Sequence, residues 1–226
     1  LMQLQSLSRR YTVRQLMETD VDAMLALCSG NPQFYRYHPP MATKASILDD
    51  LQAVPPGKTL SDKYFIGFYD GETLAAMMDL ITGYPNPATA YIGLFMVDAA
   101  QQGRGTGSAL IADCKQALRA EQFKTLRLAI DEGNPQSKAF WQKNGFALTG
   151  QRTPNENGAY LLDVNYKAIP HNSRLTAQGT APAAAARICV AKCSIMSGCG
   201  TRIVLRGKSP SLPLRPAAPA SVRLFR

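Results

Sequence analysis

Hydrophobic and polar positions alternate with a period of two over residues 11–16, which predicts a strand. Residues 21–28 then repeat their apolar positions at helical spacing. Thr19 is a ready N-cap with Asp22 three residues on, and Gly30-Asn31-Pro32 ends the run. Thr43 opens a second helix that reaches residue 51 before Pro55-Pro56-Gly57. Residues 63–69 read as a strand, and Asp70-Gly71 turns it into a second one over 73–81. Pro85-Asn86-Pro87 breaks the pattern. Residues 90–97 follow as an almost unbroken apolar run, as expected of a central strand buried on both faces.

Beyond that run the pattern changes character. Gly103, Gly105 and Gly107 occupy every second position, and a helix over 107–120 sets Leu110, Ile111, Cys114 and Leu118 on one face. Residues 126–130 form another strand. Pro135 suits the first turn of a helix through residue 143, which Asn144-Gly145 closes in a left-handed cap. Strands over 146–149 and 159–166 come last, separated by Pro154-Asn155-Glu156-Asn157-Gly158. The order β-α-α-β-β-β-α-β-α-β-β predicts a mixed sheet with helices packed on it, an α/β fold of the α+β kind.

With 226 residues, 46% of them hydrophobic, the chain can bury a sizeable core as one domain, with or without an appendage. Its net charge of +9 suggests a polyanion partner until it is mapped. Residues 1–169 hold all 16 acidic residues and 16 of the 25 basic ones, a balance of zero. Residues 170–226 carry the other 9 basic residues (25 − 16), no acid, and no sustained period. Three segments follow: a flexible stretch over 1–10, a globular domain over 11–169, and a disordered basic tail over 170–226. The domain itself shows no bias toward nucleic acid. Cys28 and Cys114 fall in helical patterns as small buried hydrophobes, whereas Cys189, Cys193 and Cys199 lack zinc-site spacing, so no metal is expected. No secretory signal and no apolar run of about 20 residues is present, which points to a cytoplasmic, reduced setting.

The glycine run carries the chemistry. Glycine lets a backbone approach a ligand closely, and the helix beyond it presents unpaired N–H groups and a positive dipole end. With Arg104 adding a fixed charge, the segment reads as a seat for a pyrophosphate. Gln102-x-x-Gly105-x-Gly107 after strand 92–97, and Asn134-Pro135-Gln136-Ser137-Lys138-Ala139-Phe140-Trp141-Gln142-Lys143-Asn144-Gly145-Phe146 after strand 126–130, stand in order. Together they resemble the GNAT superfamily of acyl-CoA-dependent N-acetyltransferases over about residues 11–167.

That resemblance implies a mostly antiparallel sheet of about seven strands with a V-shaped splay, flanked by four helices. It implies acetyl-CoA as co-substrate, an amine-bearing acceptor, and a monomer or homodimer. Phe95, Met96 and Val97 would pair with the pantetheine arm, and the amides of Gln102, Gly103, Arg104, Gly105, Thr106, Gly107 and Ser108 would hold the pyrophosphate. Asn134 would hydrogen-bond the arm, with Ser137, Phe140 and Trp141 along it. Val97 N–H would be the oxyanion donor. Two positions depart from the family's habit. Trp141 stands where many members have a Tyr acid, and Tyr91 stands near a usual central-strand Glu. Asp79, Asp131 and Glu132 are the carboxylates open to a base role, none of them assigned. The acceptor loops fall at residues 34–40 and 151–159. A Rossmann enzyme fits less well, because its glycines follow the strand directly and here five residues intervene after Val97. An acyl-CoA sensor without turnover is the other reading.

Overall fold

The computed structural model describes residues 2–154 and 160–167, so the predicted tail and most of the last turn lie outside it. The strands are β1 (Thr12–Gln15), β2 (Lys63–Asp70), β3 (Thr73–Thr82), β4 (Thr89–Val97), β5 (Thr125–Asp131), β6 (Ala147–Pro154) and β7 (Tyr160–Lys167). They form an open seven-stranded sheet in the order β1-β2-β3-β4-β5-β7-β6. β4 and β5 run parallel; every other pair is antiparallel. The helices are α1 (Val21–Ser29), α2 (Pro32–Tyr37), α3 (Lys44–Gln52), α4 (Thr106–Ala120) and α5 (Pro135–Lys143).

Two cores lie on the two faces of the sheet. On one, Leu110, Ile111 and Cys114 of α4 meet Ile66, Met78, Leu80, Ile92 and Leu128. On the other, Met24, Leu27 and Ile47 of α1 and α3 meet Phe65, Met77 and Met96. The alternation Met77-in-one, Met78-in-the-other follows from the period of a strand, and each such fully buried side chain contributes about 1.5–3 kcal/mol. Cys28 and Cys114 are buried and free, as small hydrophobes are.

The local signals act where they were expected, with three differences. Thr43 does cap α3: its Oγ1 accepts from the Ser46 N–H at 3.1 Å, and the Ser46 Oγ accepts from the Thr43 N–H at 2.9 Å. Thr19 does not cap α1. Asp20 closes that turn instead, accepting from the Met17 N–H at 2.9 Å while its carboxylate grips Arg14. A fifth helix, α2, occupies the aromatic segment read as a loop; Pro32 at its first turn pre-sets the helical φ. The N-terminal stretch is not a loose arm. Leu7 is fully buried against α4, and Arg9 donates to Asp113 through both its backbone N–H and its Nε.

The parting of β4 from β5 positions the site. Their pairing covers Thr89↔Thr125 to Ile92↔Leu128 and stops. Beyond it β4 stays with β3, and β5 stays with β7 as far as Asp131↔Leu161. The register explains the break. Asp79 pairs with Leu94 but Leu80 pairs with Ile92, which leaves Gly93 as an extra residue on β4. A bulge of this kind bends a strand and increases its twist. Gly93 has to be small there, since a Cβ would lie 2.8 Å from Asp79 Oδ2.

Candidate active site

The far half of β4 turns half of its peptide groups toward the gap. Asp98 N–H bonds Ala75 O at 2.9 Å, which puts Ala75 opposite Asp98 at a hydrogen-bonded position of the ladder. Antiparallel ladders alternate, so in this register Met77↔Met96 is bonded as well, whereas Ala76↔Val97 and Met78↔Phe95 are not. The N–H groups of Phe95 and Val97 therefore point away from β3, into the space β5 has left.

Facing that edge is the start of α4. Gly105 is its N-cap in the left-handed conformation (φ 83°), and Gly103 is left-handed too (φ 71°). A Cβ on either would meet nothing within 4 Å, so the requirement for glycine is conformational. No side chain caps the helix, which leaves the first-turn donors of Thr106, Gly107 and Ser108 without an intrahelical partner. Gly107 serves packing: a Cβ there would stand 3.1 Å from the Phe140 ring.

Between these elements lies a cleft of about 310 Å³. Phe95, Met96, Val97, Gln102, Gly103, Gly105, Thr106, Gly107, Ser108, Asn134, Ser137, Phe140 and Trp141 all line it. Arg104 does not; it is exposed and outside the lining, so its charge is not part of the wall. The cation that does line the cleft is Lys143, which sequence reasoning passed over. It sits three and seven residues beyond Phe140 and Gln136 on α5, a helical spacing that marks the same face.

Two predicted contacts are already committed within the protein. The Gln102 N–H bonds Ala99 O at 3.2 Å, so the free donors of the loop begin after it. Its side-chain amide donates to Val97 O at 2.9 Å and to Asn31 Oδ1 at 2.5 Å, which clasps the loop to the end of β4. Asn134 Oδ1 accepts from the Ser137 N–H at 2.9 Å as the N-cap of α5, leaving its amide N–H₂ to meet a ligand. Trp141 is buried in an aromatic stack, with ring centroids 6.0 Å from Phe95, 5.0 Å from Phe140 and 4.9 Å from Phe146.

The three carboxylates open to a base role diverge. Asp79 is buried under Gly93 and paired with Lys63 Nζ at 2.8 Å; burial pushes its carboxyl up and the ammonium pulls it back. Glu132 binds Arg152 at 2.6 Å near the surface. Asp131 is buried and lies 3.1 Å from His38 Nδ1, a pairing across 93 residues that no local pattern signals. Among the described residues, no cluster of three His, Cys, Asp or Glu could hold a metal ion, and no helix is long and apolar enough to cross a membrane.

The sequence profile of the Acetyltransferase (GNAT) family matches residues 30–146, which spans β4, the glycine loop, α4 and α5. The chain belongs to the GNAT acetyltransferase family. It is thus an acyltransferase of the acetyl-CoA-dependent N-acetyltransferase kind. Solved structures share the GNAT fold. An acetyltransferase from Thermus thermophilus is 20% identical with a TM-score of 0.55, covering 70% of this chain and 96% of that one. The ribosomal-protein-S18-alanine N-acetyltransferase from Escherichia coli is 17% identical with a TM-score of 0.54, covering 73% and 98%. The PaiA N-acetyltransferase from Thermoplasma acidophilum, solved in complex with coenzyme A, is 15% identical with a TM-score of 0.50, covering 70% and 98%. A comparison with curated proteins finds no match.

Proposed function

We propose that this chain transfers the acetyl group of acetyl-CoA to a primary amine by direct attack in the gap between β4 and β5, with Val97 N–H as oxyanion donor. One observation carries the reading: the unpaired amides at Phe95 and Val97 face a gap whose other wall is the uncapped N-terminus of α4. The Phe95 amide is suited to the extended pantetheine arm. The donors of Gly103 to Ser108 are suited to its diphosphate, with Lys143 as the adjacent cation.

The Val97 amide then meets the oxyanion as the amine adds, a contact whose removal elsewhere costs about 10²–10³ in rate. An acid at position 141 is dispensable. Indole N–H does not yield a proton near neutral pH, and a thiol of pKa about 8.5 leaves readily as thiolate. The free thiols of Cys28 and Cys114 suit a cytoplasmic setting.

Acetyl-CoA at about 100 times its dissociation constant should stabilise the protein by about 2.7 kcal/mol, read as a rise in melting temperature. NAD should give no shift. Thiol release from acetyl-CoA should then be screened over an alanine-initiated peptide, small primary amines and an aminoglycoside. Stabilisation by NAD and not by acetyl-CoA overturns the proposal. Stabilisation by acetyl-CoA with no thiol release above buffer hydrolysis, for any amine, favours a sensor.

A further inference from the structure

We infer that His38 takes the proton of the attacking amine and that Asp131 is the positioning residue that holds it for this role. The inference rests on the acetyl-transfer reading above and adds the base that reading lacks. His38 ends α2, on the sheet face away from α4, and Asp131 ends β5 where that strand has left β4. The two meet at 3.1 Å with side chains only 5% and 8% exposed. A carboxylate can only accept, so His38 Nδ1 donates and the lone pair of Nε2 is free. Nε2 has no protein partner among the described residues.

The pair lines a second cavity, of about 80 Å³, that fills the parting itself beside Gly93, Leu94 and Phe95. This cavity shares Phe34, Phe95, Asn134, Ser137 and Trp141 with the larger cleft, so the two adjoin. Among the described residues, the walls from β4, β5, α5 and β7 bring no charged or titratable side chain other than Asp131 to His38. Phe34, on α2 itself, packs its ring 5.4 Å from the imidazole. The competing carboxylates are engaged elsewhere: Asp79 with Lys63, Glu132 with Arg152, and neither lines either cavity.

An amine of pKa about 10.4 is only about 0.04% neutral at pH 7, so a base is useful. His38 Nε2 accepts the N–H proton as the amine lone pair forms the C–N bond. The carbonyl π pair moves to oxygen against Val97 N–H. Collapse breaks the C–S bond, and its electron pair leaves with the thiolate of coenzyme A. The imidazolium returns its proton to water, so one amide, one thiolate and one proton are formed for each amine and thioester used.

The test is the pH dependence of kcat/KM with the amine turned over fastest in the screen, for the full chain and two variants. His38→Gln should bind acetyl-CoA within about twofold of the unsubstituted chain. Its kcat should fall by about 10²–10⁴, and the acidic limb of the profile should reduce to the rise set by the amine's own protonation. Asp131→Asn, whose amide can donate to Nδ1 and so turn the imidazole to the tautomer with its proton on Nε2, should lower kcat by up to about 10⁴ while acetyl-CoA binding stays within about twofold. Profiles of His38→Gln that superimpose on the unsubstituted chain overturn the inference and leave the acetyl-transfer reading intact. Should His38→Gln fail to bind acetyl-CoA, Asp131→Asn decides: a lowered kcat with acetyl-CoA binding kept supports the inference, and an unchanged kcat overturns it. An unsubstituted chain that neither binds acetyl-CoA nor releases thiol overturns both.

Discussion

Asp50 on α3 shows how a single carboxyl can tie this fold to pH. Burial pushes it up to about 8; the Lys63 ammonium draws it back, and the nearby Asp79 and Asp49 push the same way as burial. Its Oδ1 is buried without a partner among the described residues. The folded-state value exceeds the ordinary 3.8, so the folded chain holds this proton more tightly than the unfolded one. The stability it contributes is fully present below about 3.8 and is lost as pH rises through about 8. Asp50→Asn, which mimics the protonated form, should raise the melting temperature at pH 9 and leave it nearly unchanged at pH 4. Equal shifts at both pH values would contradict the assignment. Gly105 makes a different residue-scale case. An L-residue at φ 83° costs about 1–2 kcal/mol, yet no neighbour blocks a Cβ. Gly105→Ala should therefore fold with a stability loss of about that size in urea titration and a weaker hold on acetyl-CoA, whereas unchanged affinity would move the diphosphate elsewhere.

At the scale of elements, α5 ends in a closed device. Gly145 N–H bonds Gln142 O at 2.9 Å, Phe146 N–H bonds Trp141 O at 3.0 Å, and Gly145 is left-handed at φ 78°. This is a Schellman motif, and its usual apolar contact is the Trp141–Phe146 ring pair. Trp141 thus fixes the end of α5 while lining the cleft. Trp141→Ala should cost about 3–5 kcal/mol in chemical denaturation, and Trp141→Phe distinctly less, because it keeps a ring against Phe146. Equal losses would mean that the indole contributes through something other than packing. Elements of this kind were legible in the chain: Asn144-Gly145, Asp70-Gly71 and Thr43 each act through neighbours within a few residues. Helix α2 was not, because six residues are too few to display a helical period. The clasp of Gln102 on Asn31 and the pairing of His38 with Asp131 join positions 71 and 93 residues apart. Only the tertiary fold brings such partners together.

At the scale of the molecule, the described residues that line the cleft all lie between Asn31 and Lys143. The sheet needs more of the chain than the cleft does. β7 sits between β5 and β6 and pairs with β5 from Thr125↔Lys167 to Asp131↔Leu161, so a chain cut before Leu161 would strip β5 of its partner on that side. With that edge lost, β5 would have only its four-residue pairing with β4 to hold the parting open. A chain ending at residue 169 keeps every described pairing, and its 16 acidic and 16 basic residues balance to zero, against +9 for the whole. It should melt within a degree or two of the full chain and bind acetyl-CoA with the same dissociation constant at low and high salt. Any affinity of the full chain for polyanions should disappear from it, since that attraction scales with the basic charges removed. Weaker acetyl-CoA binding in the shortened chain would show that residues 170–226 take part in the site, and would overturn the division into a neutral catalytic body and a separate basic tail.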